Sequence, residues 1–337
     1  MKHSDPSVAL SVEERVQHIV KVIKAEEQRL RAKYSFLKYQ DAIGLSIMLL
    51  SLGGMIGSGA MYYYDILPAW AAIIIGAIFA SFSHELEHDL IHRQYFRKNK
   101  FMHNLMMLVV WLMRPNTVNP WYRRDIHFLH HKTSGTKEDL EERLVGNGIA
   151  NGLMRTLVMF DGMLGVIARR GILKKEVTRF DFLELLRAAF PFTTLYFISW
   201  YAFLGFHAYD AFFAATTVYP QWLLSIVDVL NFMAVVLIAP NFIRSGCLNF
   251  VTSYMHYYGG VSNLMQQTQV LKPWFLWPAH LFCFNFGSTH SIHHFVVGQP
   301  FYIRQMVADV AHKVMRENGV RFNDLSTFVS ANRYSAS

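Results

Sequence analysis

The residues best able to do chemistry in this sequence are histidines. In SHELEHDLIH, residues 83–92, the stretch His84-Glu85-Leu86-Glu87-His88 has the H-E-x-x-H spacing. On a helix that spacing puts two imidazoles on a zinc ion and a glutamate beside its water. His84, His88 and His92 recur at every fourth position, on one helix face that drifts by about 40° per step. HFLHH then supplies His127, His130 and His131, and HSIHH supplies His290, His293 and His294. In each, spacings of three and four residues bring imidazoles to one side of a helix. A lone histidine is ordinarily a surface or core residue, and His3, His18, His103, His207 and His312 are read that way.

Three clusters in a chain of 16 histidines need another explanation. Unpaired polar groups near lipid are too costly for an all-structural reading. An imidazole shell without clustered cysteine suits Zn, Cu, Fe or Ni. A hydrolytic zinc takes only three protein ligands and a water. The larger supply here fits two metal ions sharing a site, and two irons able to bind and cleave dioxygen match that count. A zinc intramembrane protease built on the HELEH motif would leave the second and third clusters idle and stays a distant alternative. A non-catalytic membrane protein that stores or senses metal is the third reading.

The elements that must position these groups are apolar. Of 337 residues, 53% are hydrophobic and only 17% are charged. Runs at about 42–64, 66–83 and 188–206 carry no charge, and 221–243 carries only Asp228. Each approaches the ~20 residues a helix needs to cross the hydrocarbon core. The expected fold is an all-α integral membrane protein, with four transmembrane helices and a cytoplasmic helical cap carrying the histidines. Arg15, Lys21, Lys24, Arg29, Arg31, Lys33 and Lys38 precede the first run; Arg93, Arg97, Lys98 and Lys100 follow the second; Arg244 follows the fourth. The connectors at 65–68 and 207–220 have no lysine or arginine. Positive-inside orientation then places both termini and all three clusters in the cytoplasm. The same dispersal of basic residues accounts for the net charge of +8 without nucleic acid.

Three stretches are expected along the chain: an interfacial N-terminal helix at 1–41, a catalytic membrane domain at 42–305 and a cytoplasmic tail at 306–337. The first opens on a capping box, Ser11 to Glu14, and carries a stripe of Val16, Ile19, Val20 and Ile23 suited to a membrane surface. The segment 101–113 is too short to span and predicts a re-entrant or surface helix, and 143–170 predicts an interfacial one. Gly53 and Gly57 form a small-xxx-small pair for helix packing. Nothing reads as a cleaved signal peptide, and Cys247 and Cys283 suggest no disulfide framework.

With its boxes HxxxH (His84, His88), HxxHH (His127, His130, His131) and HxxHH (His290, His293, His294), the sequence resembles the membrane fatty acid desaturase and hydroxylase superfamily. The resemblance runs from about residue 40 to 305. It implies a non-haem di-iron centre that uses O2 and two electrons to attack an unactivated C–H bond of a lipid chain. It also implies a further ligand between the second and third boxes, where His256 stands in TSYMHYYGG; His92 is the rival and His280 a weaker one. The first box lacks the His-Asp opening common in acyl desaturases and is nearer the alkane-hydroxylase style. NFGSTHSIHHF and HHKTSGTKEDLEER resemble desaturase-like bacterial enzymes that turn free fatty acids into terminal alkenes by oxidative decarboxylation. Desaturation, hydroxylation and decarboxylation all stay open here.

Glu85, Glu87, Asp89, Asp125, Asp139, Glu141 and Glu142 are near enough in sequence to orient the imidazoles from behind. A fatty acid carboxylate would need an arginine, with Arg114, Arg123, Arg124, Arg155, Arg244 and Arg304 available. No iron–sulfur cysteine cluster or dinucleotide loop is visible, so electrons must come from a separate ferredoxin or cytochrome with its reductase.

Overall fold

A computed structural model describes residues 10–335; His3 lies outside them. Among the described residues the chain is helical, with only the isolated bridges His256–Thr268 and Val270–Phe322 in extended pairing. The helices in order are α1 (Val12–Lys33), α2 (Gln40–Tyr63), α3 (Ala69–Ile91), α4 (Lys100–Met113), α5 (Pro120–Thr133), α6 (Leu140–Leu144), α7 (Leu153–Phe160), α8 (Gly162–Glu176), α9 (Phe182–Ala189), α10 (Phe192–Phe213), α11 (Gln221–Met233), α12 (Ala239–Met255), α13 (Trp277–Phe282), α14 (Phe286–Phe295) and α15 (Phe301–Glu317).

Three helical stretches are long and apolar enough to cross a membrane: Gln40–Tyr63, Ala69–Ile91 and Gln221–Met255. The last joins α11 to α12 through one wider π turn, Ala234–Ile238, so that it runs 35 residues without a stop. A fourth candidate is the pair Phe182–Ala189 and Phe192–Thr216, bent by 87°. The sequence run at 188–206 therefore begins at this bend, and the second run does not stop at residue 83. The α3 helix carries straight on through its histidines to Ile91, because charged residues that bury against protein need not end a helix.

The N-terminal stripe has a different cover from the one expected. The capping box forms, with Ser11 Oγ accepting from Glu14 N at 3.2 Å and Ser11 N donating to Glu14 Oε2 at 2.8 Å. Ile19 and Ile23, however, are fully buried in a cluster with Val307, Ala311 and Val314 of α15. The expected boundary at 305/306 falls inside that helix, so the C-terminal segment is part of the packed body. Further on, Phe328 stacks on Tyr254 at 4.1 Å between ring centres.

Two other expectations change, while the short apolar helix expected at 101–113 is present. Gly53 and Gly57 face open space, and the contact of α2 with α3 is made by Gly54, where a Cβ would stand 2.3 Å from Phe79. Residues 143–170 are not one helix but α7 and α8, separated where Asp161 turns its carboxylate to cap Leu164 N at 2.9 Å. The 101–113 stretch is the 14-residue α4, whose Met106, Met107 and Val110 bury against Leu86, Leu90 and Tyr95. Asp228 is exposed on α11 and makes no ion pair among the described residues.

Candidate metal centre

Four helices bring their histidines to one place. α3 contributes from its last two turns; α5 crosses it, started by Asn119, whose side chain accepts from Tyr122 N at 2.8 Å, and by Pro120 in the first turn. α12 delivers His256 at its C-terminal end. Gly287 lets α14 close in, since a Cβ there would lie 2.4 Å from the Leu271 carbonyl oxygen. Leu271 N donates to the Gly287 carbonyl at 2.9 Å, and Ser291 Oγ donates to the Gln269 carbonyl at 2.6 Å. Residues 267–271 thus tie the end of α12 to α14.

Two groups of four imidazoles result: His88, His92, His127 and His293; and His130, His256, His290 and His294. His131 leans on the first group. Its Nε2 is 3.0 Å from His293 Nε2, 3.1 Å from His127 Nε2 and 3.4 Å from His92 Nε2, while His127 and His92 are 2.9 Å apart. In the second group His294 Nε2 lies 3.3 Å from both His256 and His290 Nε2 and 3.5 Å from His130 Nε2. Ring nitrogens converging at these separations match the edges of a coordination shell with metal–nitrogen bonds of about 2.1 Å. Such a cluster also has too few protons to satisfy itself by hydrogen bonding. His88 Nε2 is buried and has no hydrogen-bond partner among the described residues. The residues fit metal.

The backs of several rings are held. His127 Nδ1 donates to Glu141 Oε2 at 2.6 Å, His130 Nδ1 to Asp139 Oδ2 at 2.9 Å, His256 Nδ1 to the Thr252 carbonyl at 2.9 Å, and His294 Nδ1 to Gln267 Oε1 at 3.0 Å. Each fixes Nδ1 as the protonated nitrogen and frees the Nε2 lone pair to face inward. Burial drives His92 down to about 2 and His256 to about 3, keeping both neutral as a ligand must be. Burial also opposes charge on His130, but the Asp139 carboxylate, with Glu141 and Glu142 beyond it, lifts it to about 9, so a metal at Nε2 would displace a proton while Nδ1–H stays on Asp139.

Several expected residues sit elsewhere. His84 stands outside both groups, so the α3 pair is His88 with His92, one turn later than the H-E-x-x-H reading placed it. His84 Nδ1 is 3.1 Å from Arg114 Nη1, and its buried Nε2 has no partner. A guanidinium has only donors, so this contact makes Nδ1 the acceptor and leaves the proton on Nε2. His256 and His92 are both included, and no choice between them is needed. Asp125 is exposed and makes no side-chain hydrogen bond or ion pair among the described residues. Glu85 and Glu87 serve arginines and touch no imidazole. Arg304 reaches Glu85 at 2.8 Å, and Glu87 takes Arg114 at 2.5 Å and Arg123 at 3.2 Å. His280 belongs to neither group.

The arginines are mostly structural. Arg124 caps the end of α3 through the Ile91 and Leu90 carbonyls at 3.0 and 3.2 Å, and Arg155 binds Ser253 and Asn332. Gln267 and Asn332, whose amide donates to the His256 carbonyl at 3.0 Å, went unnoticed in the sequence because nothing in their spacing links them to histidine.

A cavity opens beside the first group. Its walls include Phe160, Val166, Leu185, Phe197, Trp200 and Phe242, and it shares His84, Arg123, Glu141 and Leu248 with the small hollow between the two imidazole groups. An apolar chain lying in it would end next to the histidines.

No curated protein matches the chain. The description of one family, fatty acid desaturase, matches residues 64–326, which include every converging histidine and the wall of the cavity. The chain belongs to the fatty acid desaturase family, and is a membrane oxidoreductase acting on acyl chains.

Proposed function

We propose that the two imidazole groups hold two iron ions and that the protein oxidises the acyl chain of a fatty acid lying in the adjoining cavity. The observation that carries this reading is the convergence of Nε2 atoms at 2.9–3.5 Å around a small hollow that shares wall residues with an apolar cavity. His88, His92, His127, His131 and His293 would hold one iron, and His130, His256, His290 and His294 the other. When bound, the irons supply reductive activation of O2 for removal of hydrogen from carbon. Glu141 and Asp139 hold His127 and His130 in the liganding tautomer, and the cavity wall excludes water from the reacting carbon. One turn beyond His84, the segment His88-Asp89-Leu90-Ile91-His92 does open on a His-Asp pair, which favours acyl-desaturase chemistry over the hydroxylase style.

Within that chemistry the reading is formation of a C=C bond, by desaturation or by oxidative decarboxylation to a terminal alkene. The latter balances as RCH2CH2COOH + O2 + 2 e− + 2 H+ → RCH=CH2 + CO2 + 2 H2O. Either outcome draws its two electrons from a separate protein donor, a ferredoxin or a cytochrome with its reductase. The bent pair α9–α10 is the fourth span, with histidines and both termini on the cytoplasmic side, as the lysine and arginine distribution supports.

The test is gas chromatography–mass spectrometry of cells fed a medium-chain or a long-chain acid, with wild type and His130→Ala, alongside metal analysis of the purified protein. A new alkene or unsaturated acid, absent in His130→Ala, with about two irons per chain, is expected. One zinc per chain and no O2-dependent product would overturn the reading in favour of a hydrolase. Hydroxylated acid as the sole product would move it to the hydroxylase branch.

A further inference from the structure

Three arginines, Arg114, Arg123 and Arg244, line the cavity at the end nearest the histidines. Two have carboxylate partners: Arg114 lies 2.5 Å from Glu87, and Arg123 lies 3.2 Å from Glu87 and 3.4 Å from Glu141. Arg244 has none. It is fully buried, with Nε donating to Asn241 Oδ1 at 3.2 Å and Nη2 to Asn116 Oδ1 at 2.8 Å, and its Nη1 has no partner. Among the described residues no carboxylate lies within ion-pair distance of it. A guanidinium does not shed its proton at accessible pH, so this is a buried charge without a counter-ion. A charge so placed is costly unless something pairs with it.

The surroundings hold Arg244 still. Asn241 Nδ2 donates to the Met113 carbonyl at 3.0 Å, and Asn116 Nδ2 to the Asn241 carbonyl at 3.4 Å. Both amides thereby turn their oxygens to the guanidinium and leave Nη1 without a partner among the described residues. A second donor without a partner lines the same space, the Nε2–H of His84, whose tautomer Arg114 sets. These two buried donors, one of them charged, belong to residues that line a chamber of about 1250 Å³ including its open mouth, whose remaining walls are mostly aromatic and aliphatic, with Glu141 held by Arg123 and His127. The complementary ligand has one anionic head and one long apolar tail.

We propose that Arg244, with His84 as second donor, binds the carboxylate of an unesterified fatty acid, head inward. This rests on the oxidase reading above and narrows it. A thioester carries no charge at this position, and its carrier would have to occupy a buried corner. Head-inward binding also fixes where attack falls. Asn116, bonded to Arg244, is two residues from Arg114, a span of at most about 7 Å. Arg114 in turn touches His84, one helical turn from His88 of the first imidazole group. In this orientation the carbons nearest the imidazole groups are those next to the carboxylate, as its loss as CO2 would require. His84 is a binding residue in this account, not a ligand.

The experiment uses full-length protein in lipid nanodiscs and radiolabelled dodecanoic acid, competed with unlabelled acid or its methyl ester. Metal content is measured on the same samples. Wild type is expected to prefer the acid, and Arg244→Gln to weaken acid binding roughly tenfold to a hundredfold while leaving the ester unchanged. Arg244→Lys should recover part of the loss. His84→Gln should bind acid more weakly but keep wild-type iron, whereas His88→Gln should lose iron and keep the preference for acid. Equal binding of acid and ester by wild type would overturn the inference. So would an equal loss of both in Arg244→Gln, or loss of iron in His84→Gln. Acid selectivity through Arg244 without any oxidised product would sink the oxidase reading and leave the binding site standing. Product formed with unchanged KM by Arg244→Gln would do the reverse.

Discussion

At the scale of single residues, His127 and His130 are set apart by the carboxylates behind them, Glu141 at 2.6 Å and Asp139 at 2.9 Å. Replacing such a partner by its amide keeps the shape but weakens its grip on the Nδ1 proton. Glu141→Gln and Asp139→Asn are each expected to lower metal affinity or turnover by about 10–100-fold, while Asp125→Asn changes neither. Metal titration of the stripped protein, followed by turnover, checks all three. Seven of the nine converging imidazoles belong to the three boxes read from spacing, His256 comes from the family resemblance, and His92 is marked as a rival ligand. The first box was misplaced by one turn for a definite reason. His84/His88 and His88/His92 have identical spacing and share a face; an arginine meets Nδ1 of His84 and of His88 alike, and what singles out the second pair is the contact of His92 with His127, 2.9 Å between Nε2 atoms across the fold. Chain-local patterns cannot see that contact. The same blindness hid Gln267 and let Asp125 pass for a partner.

Helices were easier to read than their neighbours in space. Apolar runs located α2, α3 and the joined α11–α12, because burial in lipid leaves a composition that any helix of that length must show. The bend between α9 and α10, and the cover of α1 by α15, arise from contacts between distant segments. Two substitutions test the element level. Gly287→Ala would thrust a methyl at the Leu271 carbonyl and push α14 away, carrying three histidines with it. It should fold, yet bind substantially less iron than wild type, as metal analysis of the purified variant would show. In the α2–α3 contact, Gly54→Val should cost about 1–3 kcal/mol through overpacking, and Gly53→Val, facing open space, very little. Thermal unfolding in detergent, read by size-exclusion chromatography, distinguishes them.

For the molecule as a whole, the first and last helices among the described residues pack together in one body that braces the imidazole groups. α15 ties α1 to α3, with Arg304 set between Glu85 and Asp89, and the segment after it returns to α12 through Phe328 and Asn332. Removing residues 326–337 should therefore lower the occupancy of the His256 group more than that of the His88 group. Anomalous or Mössbauer measurement of the iron per site would check this. Arg304→Met would strand two buried carboxylates and is expected to cost about 3–5 kcal/mol, seen as reduced yield and a lower unfolding temperature.

The crowding of imidazole nitrogens at 2.9–3.5 Å has a consequence for the living cell. Without a cation between them these rings are poorly satisfied, so the bare polypeptide is less stable than the loaded one by the free energy of binding. With iron held there as proposed, mass action would make iron supply a determinant of how long each copy survives after membrane insertion. During iron starvation the protein should disappear by proteolysis, so that its steady-state amount falls along with its chemistry and returns only with new synthesis.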